Sequence, residues 1–223
     1  MLGVRPPEYW PRLSYLAHML ESDRFVIADT FQYSRQSFQN RTKLRTPQGW
    51  QWISVPLKGG QHGRPIRQVE IDDRSRWQRS HWRAFEYNYR STPFFEFYEP
   101  DLRPIYEENY SHLADLTIAT IELLRRFFFI DTPVVKSSEL EGEPSSPGDV
   151  LACFPGEHLL SDETALAHDL TVDPDACTFR FVEPVYRQNF EGFEPGMSAL
   201  DLLFNYGPDA AQVIRESIRE GRH

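Results

Sequence analysis

Cysteine is nearly absent: the 223 residues hold only Cys153 and Cys177. Two thiols make neither a disulfide framework nor a zinc site. They read as free thiols of a reducing compartment, so a cytoplasmic location is expected. No stretch approaches 18 consecutive apolar residues, so no membrane-spanning helix is expected. The opening "MLGVRPPEYWPRL" has prolines and arginine where a secretory signal needs an apolar core, which argues against export. Lysine is also scarce, with arginine supplying 21 of the 24 basic side chains.

The motifs that announce common chemistries are missing too. The sequence has no Walker A loop, no dinucleotide-binding glycine fingerprint, no nucleophile elbow and no H-E-x-x-H. Its seven histidines are scattered, none paired at metal-ligand spacing, so no metal site and no cofactor are assigned.

What the chain does have is charge asymmetry. Its net charge is −9, yet residues 34–90 carry 12 basic against 4 acidic side chains, and the half beyond residue 100 is strongly acidic. A local excess of +8 on an acidic protein is the footprint of an anion site. Its ordinary explanation is an arginine-rich composition with a solubilising acidic half. Aromatic residues are plentiful at 14%, concentrated in "RWQRSHWRAFEYNYRSTPFFEFYEPDLRPIY".

Periodicity gives an α/β (mixed α+β) chain of a single domain, residues 1–223. Residues 1–5, a helix over about 11–22 and "RFVIADTF" read as a Rossmann-like strand–helix–strand ending at Asp29. "NRTKLRTPQGWQWISVPL" is a hairpin, with Pro47 and Gly49 marking the turn. "IRQVEID" reads as a further strand. Trp77, His81, Phe85 and Asn88 fall on one face of a helix that ends before Pro93. A short helix near 100–108 and a strong one at about 111–129 complete a helical middle. Residues 137–177 form a variable acidic insert, with "SSELEGEPSSPG" (137–148) as a linker or mobile loop. A small mixed part follows: a strand pair in "TFRFVEPVY", a helix in "SALDLLFNYG" capped by Ser198 and stopped by Gly207, and a last helix over about 208–220.

"QSFQNRTKL…PQGWQWISVPL", "WQRSHWRAFEYNYRSTPFFEFY" and "GFEPGMSALDLLFNYG" together resemble the WbqC-like protein family of bacteria. The resemblance implies a part in surface-polysaccharide (O-antigen) biosynthesis, without a defined reaction. The family's opening block, of the form Q-P-x-Y-L-P-W-x-G-Y, appears here with Pro6 for the glutamine, Arg12 for the tryptophan and Ser14 for the glycine. That departure resembles a short, divergent branch seen in Bacteroidota-type bacteria. The start is also similar to nucleotidyltransferase folds, which hold phosphates at the first turn. Their histidines are missing here, and His18 falls a turn too late.

These readings single out candidate residues. Gln36, Asn40, Arg41 and Lys43 of the hairpin could grip an anion, arginine supplying the bidentate contact. His81 is a candidate general base and Asp29 a strand-end carboxylate, both expected as catalytic. Asp201 and Asn205 are expected to bind substrate, although Asp201 could equally complete the cap of Ser198. Trp50 and Trp52 read as core or as stacking platforms. The resulting expectation is a transferase acting on a nucleotide-linked or amino sugar, with Arg41, Lys43, His81 and Asp29 converging on one pocket. A non-catalytic ligand-binding or accessory protein is the alternative. Nucleic-acid binding ranks below both, because the rest of the chain is acidic.

Overall fold

A computed structural model describes residues 1–162 and 177–220. The chain opens with β1 (Leu2–Arg5), α1 (Leu13–Glu21) and β2 (Arg24–Ile27), and the two strands pair in parallel. β1 and β2 are nearly continuous apolar runs because both faces of a parallel sheet are covered. The hairpin follows as expected, with β3 (Arg41–Thr46) and β4 (Gly49–Ser54) turning through Pro47 and Gln48.

The "IRQVEID" stretch differs from the expectation. It forms a 3-10 turn at Ile66–Gln68 and only isolated bridges around it. Ile66 and Val69 are both fully buried, and a spacing of three puts two side chains on one side of a tight turn but on opposite faces of a strand.

Three helices make the middle: α2 (Trp77–Tyr89), α3 (Phe95–Glu107) and α4 (Leu113–Phe127). α3 starts earlier than expected and runs through Pro100 and Pro104. Both prolines lie with Glu96 on the exposed stripe, where water can bond the carbonyls that lack an N–H partner. β5 (Val134–Lys136) then pairs with β2 in parallel, giving the order β1-β2-β5.

The first part of the 137–177 region is structured rather than a free linker. A 3-10 turn at Ser137–Glu139 and α5 (Pro147–Ala152), capped by Ser146, occupy it. Residues 163–176 lie outside the described residues. β6 (Leu160–Asp162) precedes them, and β7 (Cys177–Phe181), α6 (Ala199–Tyr206), α7 (Ala210–Glu216) and β8 (Ile218–Glu220) follow. Only the first half of "TFRFVEPVY" is a strand. The last helix stops at Glu216, since residues 218–220 pair antiparallel with β7. A parallel bridge between Leu2 and Leu159 links β6 to the outer edge of β1.

One core gathers residues from Tyr9 to Ile214, so the N-terminal turn, α2, α4 and α6 share it. Gly207 stops α6 at φ +57°, and a Cβ there would meet the Phe94 ring at 2.6 Å. Only glycine allows both. No helix among the described residues is long and apolar enough to cross a membrane.

Candidate functional site

Side chains alternate along β3. Thr42 and Leu44 face inward: Thr42 Oγ1 donates to the Trp10 carbonyl at 3.0 Å, and Leu44 is fully buried. Arg41, Lys43 and Arg45 therefore share the outward face, opposite Ser54, Trp52 and Trp50 of β4.

On that face cations and rings interleave. The Arg41 guanidinium lies 4.2 Å from the Trp52 ring centre, and Lys43 Nζ lies 4.2 Å from Trp50 and 5.5 Å from Trp52. Phe38 packs 5.3 Å from Trp52 and carries the Arg12 guanidinium 3.6 Å above its ring. Arg12 in turn bonds Glu8 at 3.3 Å, and Arg5 bonds the same carboxylate at 3.0 Å. Burial would raise the Glu8 carboxyl, but the two guanidinium charges hold it below the usual range. Arg41 and Lys43 have no ion pair among the described residues. Trp50 is 43% exposed. This is a positively charged aromatic surface with open hydrogen-bonding capacity, suited to an anion that carries a ring.

Gln36 and Asn40 frame the base of the hairpin. Gln36 takes a left-handed backbone, φ +58°, and its carbonyl accepts from Arg41. Asn40 Nδ2 donates to the Val55 carbonyl at 3.0 Å, so this side chain braces the strand ends.

The third cation of the face behaves differently. Arg45 is 2% exposed. It donates to Gln188 Oε1 at 3.0 Å and to the carbonyls of Gly49 at 2.7 Å, Glu191 at 2.5 Å and Thr46. Gln188 Nε2 passes the link to Asp201 Oδ2 at 2.9 Å, which also accepts from the Tyr186 hydroxyl at 2.8 Å. Burial pushes the Asp201 carboxyl up to about 6, against the pull of its hydrogen bonds and of Arg45. Asp201 thus faces the core instead of capping Ser198, whose hydroxyl alone accepts from Leu200 N–H. Asn205 Nδ2 donates to the Asp201 carbonyl at 2.7 Å, inside the same helix.

His81 lies on the inner side of the hairpin, 5% exposed. Nε2 meets the Ser54 carbonyl at 3.2 Å, which can only accept, so Nε2 carries the proton. Nδ1 then accepts from the Tyr9 hydroxyl at 2.9 Å. Tyr9 accepts from Tyr106 at 2.8 Å, and Tyr106 accepts from Trp10 Nε1 at 2.7 Å. Every donor in this chain has one acceptor, and burial lowers the His81 pKa to about 4.

Asp29 sits just past the end of β2. Its oxygens accept from Ser137 Oγ at 3.0 Å, Ser138 N at 2.9 Å and Ser138 Oγ at 2.6 Å, tying β2 to the turn after β5. The expected fourfold convergence is therefore not what the fold produces. Arg41 and Lys43 come together on the outer face, His81 is behind the hairpin, Asp29 is at the sheet end, and Asp201 with Asn205 lies in α6.

A family model described as the WbqC-like protein family matches residues 6–213. The chain belongs to the WbqC-like protein family. It is 30% identical over 234 residues to "Uncharacterized protein Rv1507c" of Mycobacterium tuberculosis, covering 96% of this chain and 97% of that one. No solved structure matches.

The altered opening block of this WbqC-like chain has a physical logic. The positions that keep the family's residues, Pro7, Tyr9, Pro11 and Tyr15, are buried; of the altered ones Pro6, Arg12 and Ser14 are half-exposed, while Trp10, in the leucine position, is buried. Arg12 in place of tryptophan adds a cation to the row of rings. Two amides of the turn are already engaged: Tyr9 N–H donates to the Phe38 carbonyl at 2.9 Å and Trp10 N–H to Thr120 Oγ1 at 3.3 Å. Sequence reasoning passed over Arg12, Phe38 and Arg45. "RTKLRT" alone, with basic residues at every second position, signalled Arg45 as the third member of the face.

Proposed function

We propose that this WbqC-like protein is a transferase-type enzyme of surface-polysaccharide (O-antigen) assembly. Its substrate is a nucleotide-linked or amino sugar, whose anionic part rests on the outward face of the hairpin. The carrying observation is that Arg41 and Lys43 are poised over Trp52 and Trp50 without a carboxylate partner. Guanidinium and ammonium groups so placed can take a diphosphate, while an indole edge takes a base or sugar ring. Gln36 and Asn40 shape the base of this surface.

A second reading, a non-catalytic ligand-binding or accessory protein, is favoured by one observation. His81 and Asp29, the side chains expected to perform chemistry, are both engaged in internal hydrogen bonds. Incubation with a panel of uridine- and thymidine-diphosphate sugars separates the two. Release of free nucleotide above the blank supports a transferase or hydrolase. A rise in melting temperature without turnover supports the accessory role. A flat panel by both measures, or binding unchanged in Arg41→Ala/Lys43→Ala, removes the outward face from either.

A further inference from the structure

The other side of the hairpin carries a shallow, solvent-open groove of about 620 Å³ between β4 and α2. α2 turns Ser80, Arg83, Tyr87 and Arg90 outward into one exposed stripe, and Gln51 of β4 forms the facing wall.

Asn88, 2% exposed, also lines the groove. Its Nδ2 donates to the Ala84 carbonyl at 2.8 Å. A carbonyl only accepts, so this bond fixes the amide orientation and leaves Oδ1 as the second polar atom. Oδ1 is buried and has no donor.

The charges around it select the rest of the ligand. Arg83 of α2 and Arg90, the residue that caps its C-terminal end, have no ion pair among the described residues. Glu86, the carboxylate of the lining, lies 3.9 Å from Arg103 of α3. Tyr87, between the two arginines, is 81% exposed and offers a ring face.

We propose that this groove binds a sugar phosphate. Arg83 and Arg90 hold the phosphate, Tyr87 stacks on the apolar face of the pyranose, and Gln51 receives its hydroxyls. A nucleic acid would need a continuous basic track, whereas two arginines with Glu86 beside them delimit a single anionic group. The groove and the outward face are separated by the hairpin, so this site stands independently of the function proposed above.

Calorimetric titration of the full chain with glucose 1-phosphate and N-acetylglucosamine 1-phosphate tests the site, with inorganic phosphate and the free sugars as reference arms. The titrations are made in the Arg41→Ala/Lys43→Ala chain, so that the outward face does not contribute. At least one sugar phosphate is expected to bind tenfold or more tighter than phosphate or sugar alone. Adding Arg83→Ala/Arg90→Ala should weaken that binding at least tenfold without moving the melting temperature, since both side chains are exposed. Tyr87→Ala should shrink the preference for sugar phosphate over phosphate. No binding of either sugar phosphate, equal binding of inorganic phosphate, or insensitivity to the arginine pair would each overturn the assignment.

Discussion

The Tyr9 hydroxyl donates to Nδ1 of His81 across 2.9 Å, joining the first turn of the chain to the inner face of α2. The Ser54 carbonyl on Nε2 would by itself favour the charged ring, but burial outweighs it and the imidazole stays neutral. Burial keeps its folded pKa near 4 while the unfolded chain takes the proton near 6.5. The resulting stability is complete above pH 6.5 and is lost as pH falls toward 4. His18, buried against the Leu160 carbonyl with a pKa near 3, acts in the same direction. The His81 imidazole resonances should thus stay unchanged from pH 8 to pH 5, and titration near 6.5 would contradict the assigned chain. Tyr9→Phe, which leaves Nδ1 without a donor, should cost about 1–3 kcal/mol in denaturant unfolding.

Asp201 has the opposite pH dependence. Its folded pKa of about 6 exceeds the ordinary 3.8, so the folded chain keeps a proton that the unfolded chain has released. Its contribution is present below the lower value and lost as pH rises through 6, at a cost of about 3 kcal/mol for ionising it in place. Asp201→Asn keeps an acceptor for Tyr186 and Gln188 but cannot ionise. The melting-temperature advantage of this variant over the parent should be larger at pH 7.5 than at pH 5. An advantage that grows toward acid would refute the raised pKa.

Arg41 and Arg45 share a strand face yet should respond differently to replacement. Arg41→Ala/Lys43→Ala removes three half-exposed cation–ring contacts of about 0.5–1 kcal/mol each, so the fold should hold while affinity for a nucleotide sugar falls tenfold or more. Arg45→Ala leaves Gln188 and the Gly49 and Glu191 carbonyls without their donor. A loss of about 2–4 kcal/mol is expected there. Equal stability losses in the two variants would mean that the outward cations are structural as well.

Asp29 distinguishes chemistry from bracing. Asp29→Ala removes the acceptor for three bonds and should cost about 2–4 kcal/mol. Asp29→Asn should cost less than half of that, since the Ser138 hydroxyl can reverse and accept from the new amide. Loss of turnover in Asp29→Asn with stability intact would instead mark this carboxylate as a participant in the reaction.

Much of the fold was legible locally. The α1 spacing, the turn at Pro47 and Gly49, the α2 stripe through Trp77, His81, Phe85 and Asn88, and the stop at Gly207 are short-range signals, and each appears in the structure. Elements whose partners are distant in sequence were harder to read. Residues 218–220 look helical until β7 offers an edge, and Ile66 with Val69 looks like a strand until burial on one side selects a turn.

The candidate site divides along the same line. Alternation in "RTKLRT" and "GWQWIS" by itself puts Arg41 and Lys43 on one face and faces them with Trp50 and Trp52, because a strand has a period of two. Sequence also determined family membership, through three blocks in fixed order. Only the tertiary structure decided that His81 and Asp201 point into the protein, because each is fixed by hydrogen bonds from residues scattered along the chain. It likewise decided that Arg45 is buried and Arg41 is not: the segment that covers Arg45, around Gln188 and Glu191, lies more than a hundred residues away.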